Sequence, residues 1–154
     1  MTVALGAEAP GFELDGTDGT EAGRRRYSLA EFRGQPVVLV FYPADHSPVC
    51  TVQLQTYTHD IGAFADVGAQ VLALSPQTVG DHEGFAAEHR FAFPLLADVD
   101  KVVGADYGIL GPLGFYRRSI IVVDPDGIVR YAHRATAGLT FRPTAEIVEA
   151  VRAL

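Results

Sequence analysis

The chain has one cysteine, one methionine and no tryptophan among its 154 residues, and Lys101 is its only lysine. A lone cysteine excludes an internal disulfide, and with it the small secreted scaffold held together by cross-links. Long apolar runs are missing too. The longest, "PVVLVFY" and "SIIVVD", are strand-length and far short of the ~20 residues that a spanning helix needs, so no membrane association is expected. The opening stretch "MTVALGAEAPGFEL" has neither a basic n-region nor a signal-length apolar segment, and the expected compartment is the cytoplasm. Positive charge is scarce: 12 Lys and Arg stand against 19 Asp and Glu, for a net charge of −7. Nucleic acid is therefore disfavoured as a partner, because phosphate contacts need clustered basic residues. The one basic cluster, Arg24, Arg25 and Arg26, reads as a solvated loop ahead of a short helix. Zinc motif, P-loop, dinucleotide fingerprint and G-x-S-x-G elbow are all absent, so neither a metal nor a bound cofactor is expected. Of the five histidines, His82 and His89 share a predicted helix face but lie two turns, ~10.5 Å, apart, too far for one metal ion. His59 and His133 show no ligand spacing, and His46 lies in the loop before the cysteine, where it reads more simply as a solvated side chain than as a modulator of the thiol.

What is present suits a packed α/β domain. The composition is 48% hydrophobic and 20% charged, and 154 residues read as a single domain spanning 1–154. "PGFELDGTDGTE" reads as a short strand and a hairpin-like turn. "SLAEF" follows as a short helix capped by Ser28 and ended at Gly34. The β-branched and aromatic run at 36–42 is typical of a strand buried on both faces. "AQVLALS" and "FPLLAD" read as two further strands. Between them, "TVGDHEGFAAEHR" reads as a helix whose Thr78 and Asp81 are spaced as a capping box. "DKVVGADYGI" reads as a short helix, and "RSIIVVDPDGIVRYAHR" as a hairpin turning at Asp124–Gly127. "PTAEIVEAVRAL" closes as a helix with Ile147, Val151 and Leu154 on one face. Alternating strands and helices predict a layered α/β fold, and the late hairpin makes its sheet mixed.

The single cysteine sits in "FYPADHSPVCTVQLQTY". Ser47 is a good N-cap and Pro48 suits the first helical position, which puts Cys50 in the first turn of a helix. Leu54, Tyr57, Ile61 and Phe64 continue on the same face, so the sulfur points inward at a helix N-terminus, beyond the end of a central strand. Unpaired amides and the positive end of the helix dipole favour a thiolate there. That matters because an ordinary thiol is only about 3% ionised at pH 7. Position alone leaves a second reading open: an isolated cysteine in an apolar context is usually a small buried hydrophobe.

The segment "FYPADHSPVCT" resembles the active-site segment of the peroxiredoxins, which carry Pro-x-x-x-Thr/Ser-x-x-Cys after a buried strand; Pro43, Ser47 and Cys50 match in type and spacing. The Asp-x-Ser/Thr-Pro-x-Cys-Thr detail resembles the PrxQ (bacterioferritin comigratory protein) branch of the AhpC/TSA family. "APGFEL", "LSPQT", "FPLLAD" and "RRSIIVVDPDGIV" extend the resemblance nearly end to end. It implies a thioredoxin-like fold, with a central mixed sheet flanked by helices, and the reduction of hydrogen peroxide and organic hydroperoxides. By the resemblance, Cys50 is the peroxidatic cysteine and becomes a sulfenic acid. Arg118, six residues before Asp124, would hold the thiolate and orient the peroxide. Arg117 should face the other way. Ser47 would bond the peroxide, Pro43 would shield the thiolate, and the backbone N–H groups of Val49 and Cys50 would be further donors.

Two departures from the branch stand out. Position 55, where many of its members carry a resolving cysteine, is Gln55, so the cycle would be of the one-Cys type. An external thiol (thioredoxin, glutaredoxin or a low-molecular-weight thiol) would then reduce the sulfenic acid. Gln53 stands where the branch often has Glu, which puts in question how Arg118 is held. The expected state is a monomer or a homodimer. The competing readings are a redox sensor or thioredoxin-like binding module with little turnover, and an inactive domain whose cysteine is structural.

Overall fold

The computed structural model of the chain describes residues 3–135 and 140–154. Among these, seven strands form one mixed sheet. β1 (Glu13–Thr17) and β2 (Arg25–Ser28) make an antiparallel hairpin at one edge. β3 (Val37–Phe41), β4 (Gln70–Ser75) and β5 (Leu95–Ala97) run parallel in the middle. β6 (Ser119–Val123) and β7 (Val129–Arg134) form the antiparallel hairpin at the other edge, so the order is β2-β1-β5-β4-β3-β6-β7. The helices are α1 (Pro48–His59), α2 (Ile61–Asp66), α3 (Val79–His89), α4 (Val102–Asp106) and α5 (Thr144–Arg152).

The uninterrupted apolar run of β3 has a direct structural cause. Successive side chains of a strand point to opposite faces, and both faces of this sheet are covered. Val38, Val40 and Tyr42 pack with Val71, Ala73, Ile120 and Val122 beneath α1, α2, α3 and α5. Val37, Leu39 and Phe41 pack with Leu72, Leu74, Ile121 and Val123 against Phe12, Leu29, α4 and Tyr107 on the other side. All five residues of β3 are buried, each contributing about 1.5–3 kcal/mol of burial for a side chain of this size.

The structure revises several expectations. Arg25 and Arg26 belong to an edge strand, and all three arginines of the cluster find acidic partners: Arg24 pairs with Glu83, Arg25 with Glu31 and Arg26 with Asp15. Gly16 lies inside β1, where a Cβ would come within 2.5 Å of Leu96 and 2.8 Å of Tyr27. Its glycine therefore answers to close packing, and the chain turns later, from Asp18. The "SLAEF" helix is a 3-10 turn, Leu29–Phe32, closed by a full Ser28/Glu31 capping box. In α3, Thr78 accepts from the Asp81 amide, one half of the box that the spacing suggests. The helix begun at Pro48 breaks at Asp60, whose carboxylate accepts from Thr144 of α5. Ile61 and Phe64 therefore belong to a second helix. Leu154 lies past the end of α5 and is exposed; the buried face there is Ile147, Val148 and Val151.

Asp98, fully buried beyond β5, ties the second layer together. Its carboxylate accepts the amides of Val103 (3.1 Å) and Gly104 (2.8 Å) in α4, and the Tyr116 hydroxyl. Tyr116 stands two residues before Arg118, so this knot also anchors the approach to the last strand pair. Replacing Asp98 by Ala strands three buried donors, each costing about 1–3 kcal/mol. The expected outcome for Asp98→Ala is a loss of at least ~3 kcal/mol in urea unfolding, with an unchanged m-value.

Candidate active site

The connection between β3 and α1 carries Pro43 to Ser47. His46 within it adopts φ +62°, a left-handed conformation that costs a non-glycine residue about 1–3 kcal/mol and persists only where neighbours over-determine it. Ser47 then caps α1: its Oγ accepts from the Cys50 amide at 3.3 Å, and its carbonyl takes Thr51 Oγ1 at 2.8 Å. The Ser47 hydroxyl proton remains available to donate. The Val49 amide, one residue into the same turn, meets no acceptor among the described residues.

Cys50 is fully buried. Its side chain shares the inward face of α1 with Gln53, Leu54 and Tyr57, which is the i, i+3, i+4, i+7 stripe of an amphipathic helix. Arg118, only 4% exposed and immediately before β6, reaches across from the neighbouring strand. Its Nη1 lies 3.3 Å from Cys50 Sγ and donates to Gln53 Oε1 at 2.6 Å. A buried guanidinium is tolerable only where it is paired and hydrogen-bonded. Here the amide oxygen of Gln53 does the holding. Gln53 is itself supported, its Nε2 lying 3.5 Å from the Tyr57 hydroxyl, which donates to the Arg142 carbonyl at 2.6 Å. Burial pushes the Tyr57 phenol up to about 12, so it remains a neutral donor.

The residues singled out from the sequence thus come together in part by contact and in part by position. Cys50, Arg118 and Ser47 are linked by hydrogen bonds. Pro43 opens the loop, half-buried, as β3 ends. Arg117 turns away, donating to the carbonyls of Ala135 (2.8 Å) and Arg134 (3.0 Å). His46 sits against the Phe85 ring with Nδ1 3.5 Å from Glu88, so its partners lie on α3. Gln55, at the position of the absent second thiol, lies 3.1 Å from His89 Nδ1 and fastens α1 to α3. Tyr57 was legible only as an apolar face residue. The overlooked signal was its hydroxyl, which needs a partner once buried, together with a polar Gln53 on that same inward face.

Among the described residues, no group of His, Cys, Asp or Glu is arranged to hold a metal ion. A cavity of about 310 Å³ is lined by Tyr116, Arg117, Arg118 and Ala135, with the exposed Leu113 and Phe115 also in its wall. A larger cleft of about 880 Å³ lies between the β1–β2 hairpin and α3. Cys50 lines neither of the two.

Comparison with known proteins identifies the family of the chain. The model of the AhpC/TSA family matches residues 5–132. The chain is 32% identical over 154 residues to the chloroplastic peroxiredoxin Q of Oryza sativa subsp. japonica, covering 99% of this chain and 67% of that protein. It is 30% identical over 161 residues to a peroxiredoxin of Thermoplasma volcanium, covering 100% of this chain and 76% of that one. Among solved structures, peroxiredoxin Q from Xanthomonas campestris superposes with a TM-score of 0.81 at 26% identity, over 92% of this chain and 90% of that one. The Mycobacterium tuberculosis protein AhpC shares the fold, with a TM-score of 0.88 at 21% identity, over 99% of this chain and 93% of that one. With the family model matching most of the chain and peroxiredoxin Q among both the relatives and the solved structures, this chain belongs to the AhpC/TSA family, in its peroxiredoxin Q branch.

Proposed function

We propose that Cys50 is the peroxidatic nucleophile of a one-Cys, thiol-dependent peroxidase, and that Arg118, Ser47 and the amides of Val49 and Cys50 bind the hydroperoxide. The observation that carries this reading is the 3.3 Å contact between Arg118 Nη1 and Cys50 Sγ inside the protein. The nucleophile in this reading is the thiolate, and at this sulfur it would face a fixed cation and the amides of a helix N-terminus. The thiolate attacks the terminal oxygen of ROOH, forming the S–O bond as the O–O bond breaks. The leaving RO⁻ takes a proton to become ROH, and Cys50 is left as the sulfenic acid. Donors aimed at the two peroxide oxygens stabilise the charge that moves onto the leaving oxygen. In this reading the Ser47 hydroxyl and the arginine fork supply these donors, and Pro43 shields the sulfur.

The chain offers no second thiol. The sulfenic acid therefore condenses with an external thiol R′SH, releasing water and forming a mixed disulfide. A second R′SH then releases R′S–SR′ and restores Cys50. Thioredoxin, glutaredoxin and low-molecular-weight thiols are the proposed reductants. The reducing cytoplasm, which supplies all three, is the proposed compartment, and monomer or homodimer the proposed state.

The decisive experiment is stopped-flow oxidation of the reduced protein by hydrogen peroxide, with mass spectrometry at Cys50. The expected result is rapid second-order oxidation that persists below pH 7 and adds one oxygen at Cys50. A slow reaction, rising only in the alkaline range of an ordinary thiol, would overturn the reading. Cys50→Ser is expected to abolish peroxide consumption. Arg118→Ala is expected to slow oxidation by about 10²–10³-fold, the scale for losing a transition-state donor. Gln53→Ala leaves the guanidinium less well aimed, and a loss of roughly tenfold is expected, smaller than that of Arg118→Ala because the cation is still present.

A further inference from the structure

The β3–α1 loop is held by a buried cluster that the peroxidase chemistry above does not use. His82 of α3 is fully buried, and its Nδ1 lies 2.7 Å from Asp45 Oδ2, a carboxylate itself only 3% exposed. The other ring nitrogen, Nε2, lies 3.0 Å from the Leu96 carbonyl of β5. Tyr42, at the end of β3, donates its hydroxyl to Asp45 Oδ1 at 2.7 Å. Burial first, and the Asp45 charge next, hold that phenol well above its ordinary range, so it keeps the proton it donates to Asp45. The Asp45 amide donates to Gln77 Oε1 at 2.9 Å, and Ser75 Oγ donates to the same oxygen at 2.5 Å. Asp45 is thus gripped from β3, α3 and the segment that follows β4.

The polar contacts make this cluster more than packing. Both nitrogens of His82 face acceptors, Asp45 of the loop on one side and the Leu96 carbonyl of β5 on the other, so the ring joins α3 to both. Asp45 is followed by His46 in its left-handed conformation and then by Ser47, whose oxygen caps the Cys50 amide. We propose, resting on the peroxidase reading, that His82 is a positioning residue for that reaction. Through Asp45 it fixes the turn at His46, and with it the aim of the Ser47 hydroxyl and of the first amides of α1 at the peroxide.

The test compares His82→Leu, which keeps bulk but removes both ring nitrogens, with His82→Asn, which keeps a donor toward Asp45. Each folded variant is read by stopped-flow oxidation of Cys50, by urea stability, and by amide hydrogen exchange over residues 45–51. His82→Leu is expected to slow oxidation by roughly 10- to 100-fold, the scale of a displaced catalytic group, and to speed exchange in that segment. His82→Asn is expected to return to within a few-fold of the wild-type rate. Oxidation at the wild-type rate in folded His82→Leu, or His82→Asn as slow as His82→Leu, would reduce the cluster to packing and overturn the inference. If His82→Leu does not fold, Tyr42→Phe removes the other donor to Asp45; an unchanged oxidation rate there overturns it equally. A wild-type protein that fails to react with peroxide sinks the peroxidase reading instead, and exchange over 45–51 then decides the clamp alone: unchanged protection in the variants overturns it.

Discussion

The contact between the Arg118 guanidinium and the Cys50 sulfur is the constraint around which the site is organised. Both groups lie out of water, and a buried guanidinium is tolerated only with its donors occupied. The surrounding structure answers this requirement in layers. Gln53 accepts from the guanidinium, Tyr57 stands behind Gln53, and the Arg142 carbonyl receives the Tyr57 hydroxyl. Each link leads further from the sulfur and closer to the backbone of the last helix, so the aim of one side chain rests on the packing of three elements.

The sheet brings the pair within reach. β3 and β6 are antiparallel neighbours with Phe41 opposite Ser119, so the end of β3, from which the cysteine loop departs, lies beside the start of β6, just after Arg118. Burial of β3 on both faces fixes its register, since a slip of one residue would exchange the two cores. The same rigidity fixes the distance between a loop that begins at Tyr42 and an arginine that ends at its neighbour's edge. The Asp98–Tyr116 knot plays a corresponding part on the opposite layer, two residues upstream of Arg118.

Much of this was legible in the sequence, for identifiable reasons. The two-faced apolar run at 36–42, the Asp124–Gly127 turn and the Ser47–Pro48 helix start are local signals, and each appears in the fold as read. Cys50, Ser47, Pro43 and Arg118 were nameable because they lie in spaced patterns along the chain. The parts that escaped depend on tertiary partners. The break at Asp60 leaves no mark in the 3.6-residue periodicity, since Phe64 still falls on the buried side. Arg25 and Arg26 read as a loop because an edge strand exposes its polar side chains much as a loop does. Gly16 looked like a turn residue, and only the nearness of Leu96 and Tyr27 explains it. His82 looked like one of two histidines on a helix face, because nothing in a single sequence reveals that Asp45, 37 residues earlier, is its neighbour.

The lack of a second thiol, with Gln55 bonded to His89 instead, gives the oxidised protein a particular kinetic character. With a resolving cysteine in the same chain, the sulfenic acid would decay in a unimolecular step, independent of the external thiol concentration. Here its decay is bimolecular, so its lifetime scales inversely with the concentration of external thiol. A well-supplied thiol pool keeps the oxidised form scarce. A depleted one lets it persist until a second peroxide competes for the same sulfur and carries it to the sulfinic acid. The occupancy of the oxidised state therefore reports the ratio of peroxide to thiol around the protein.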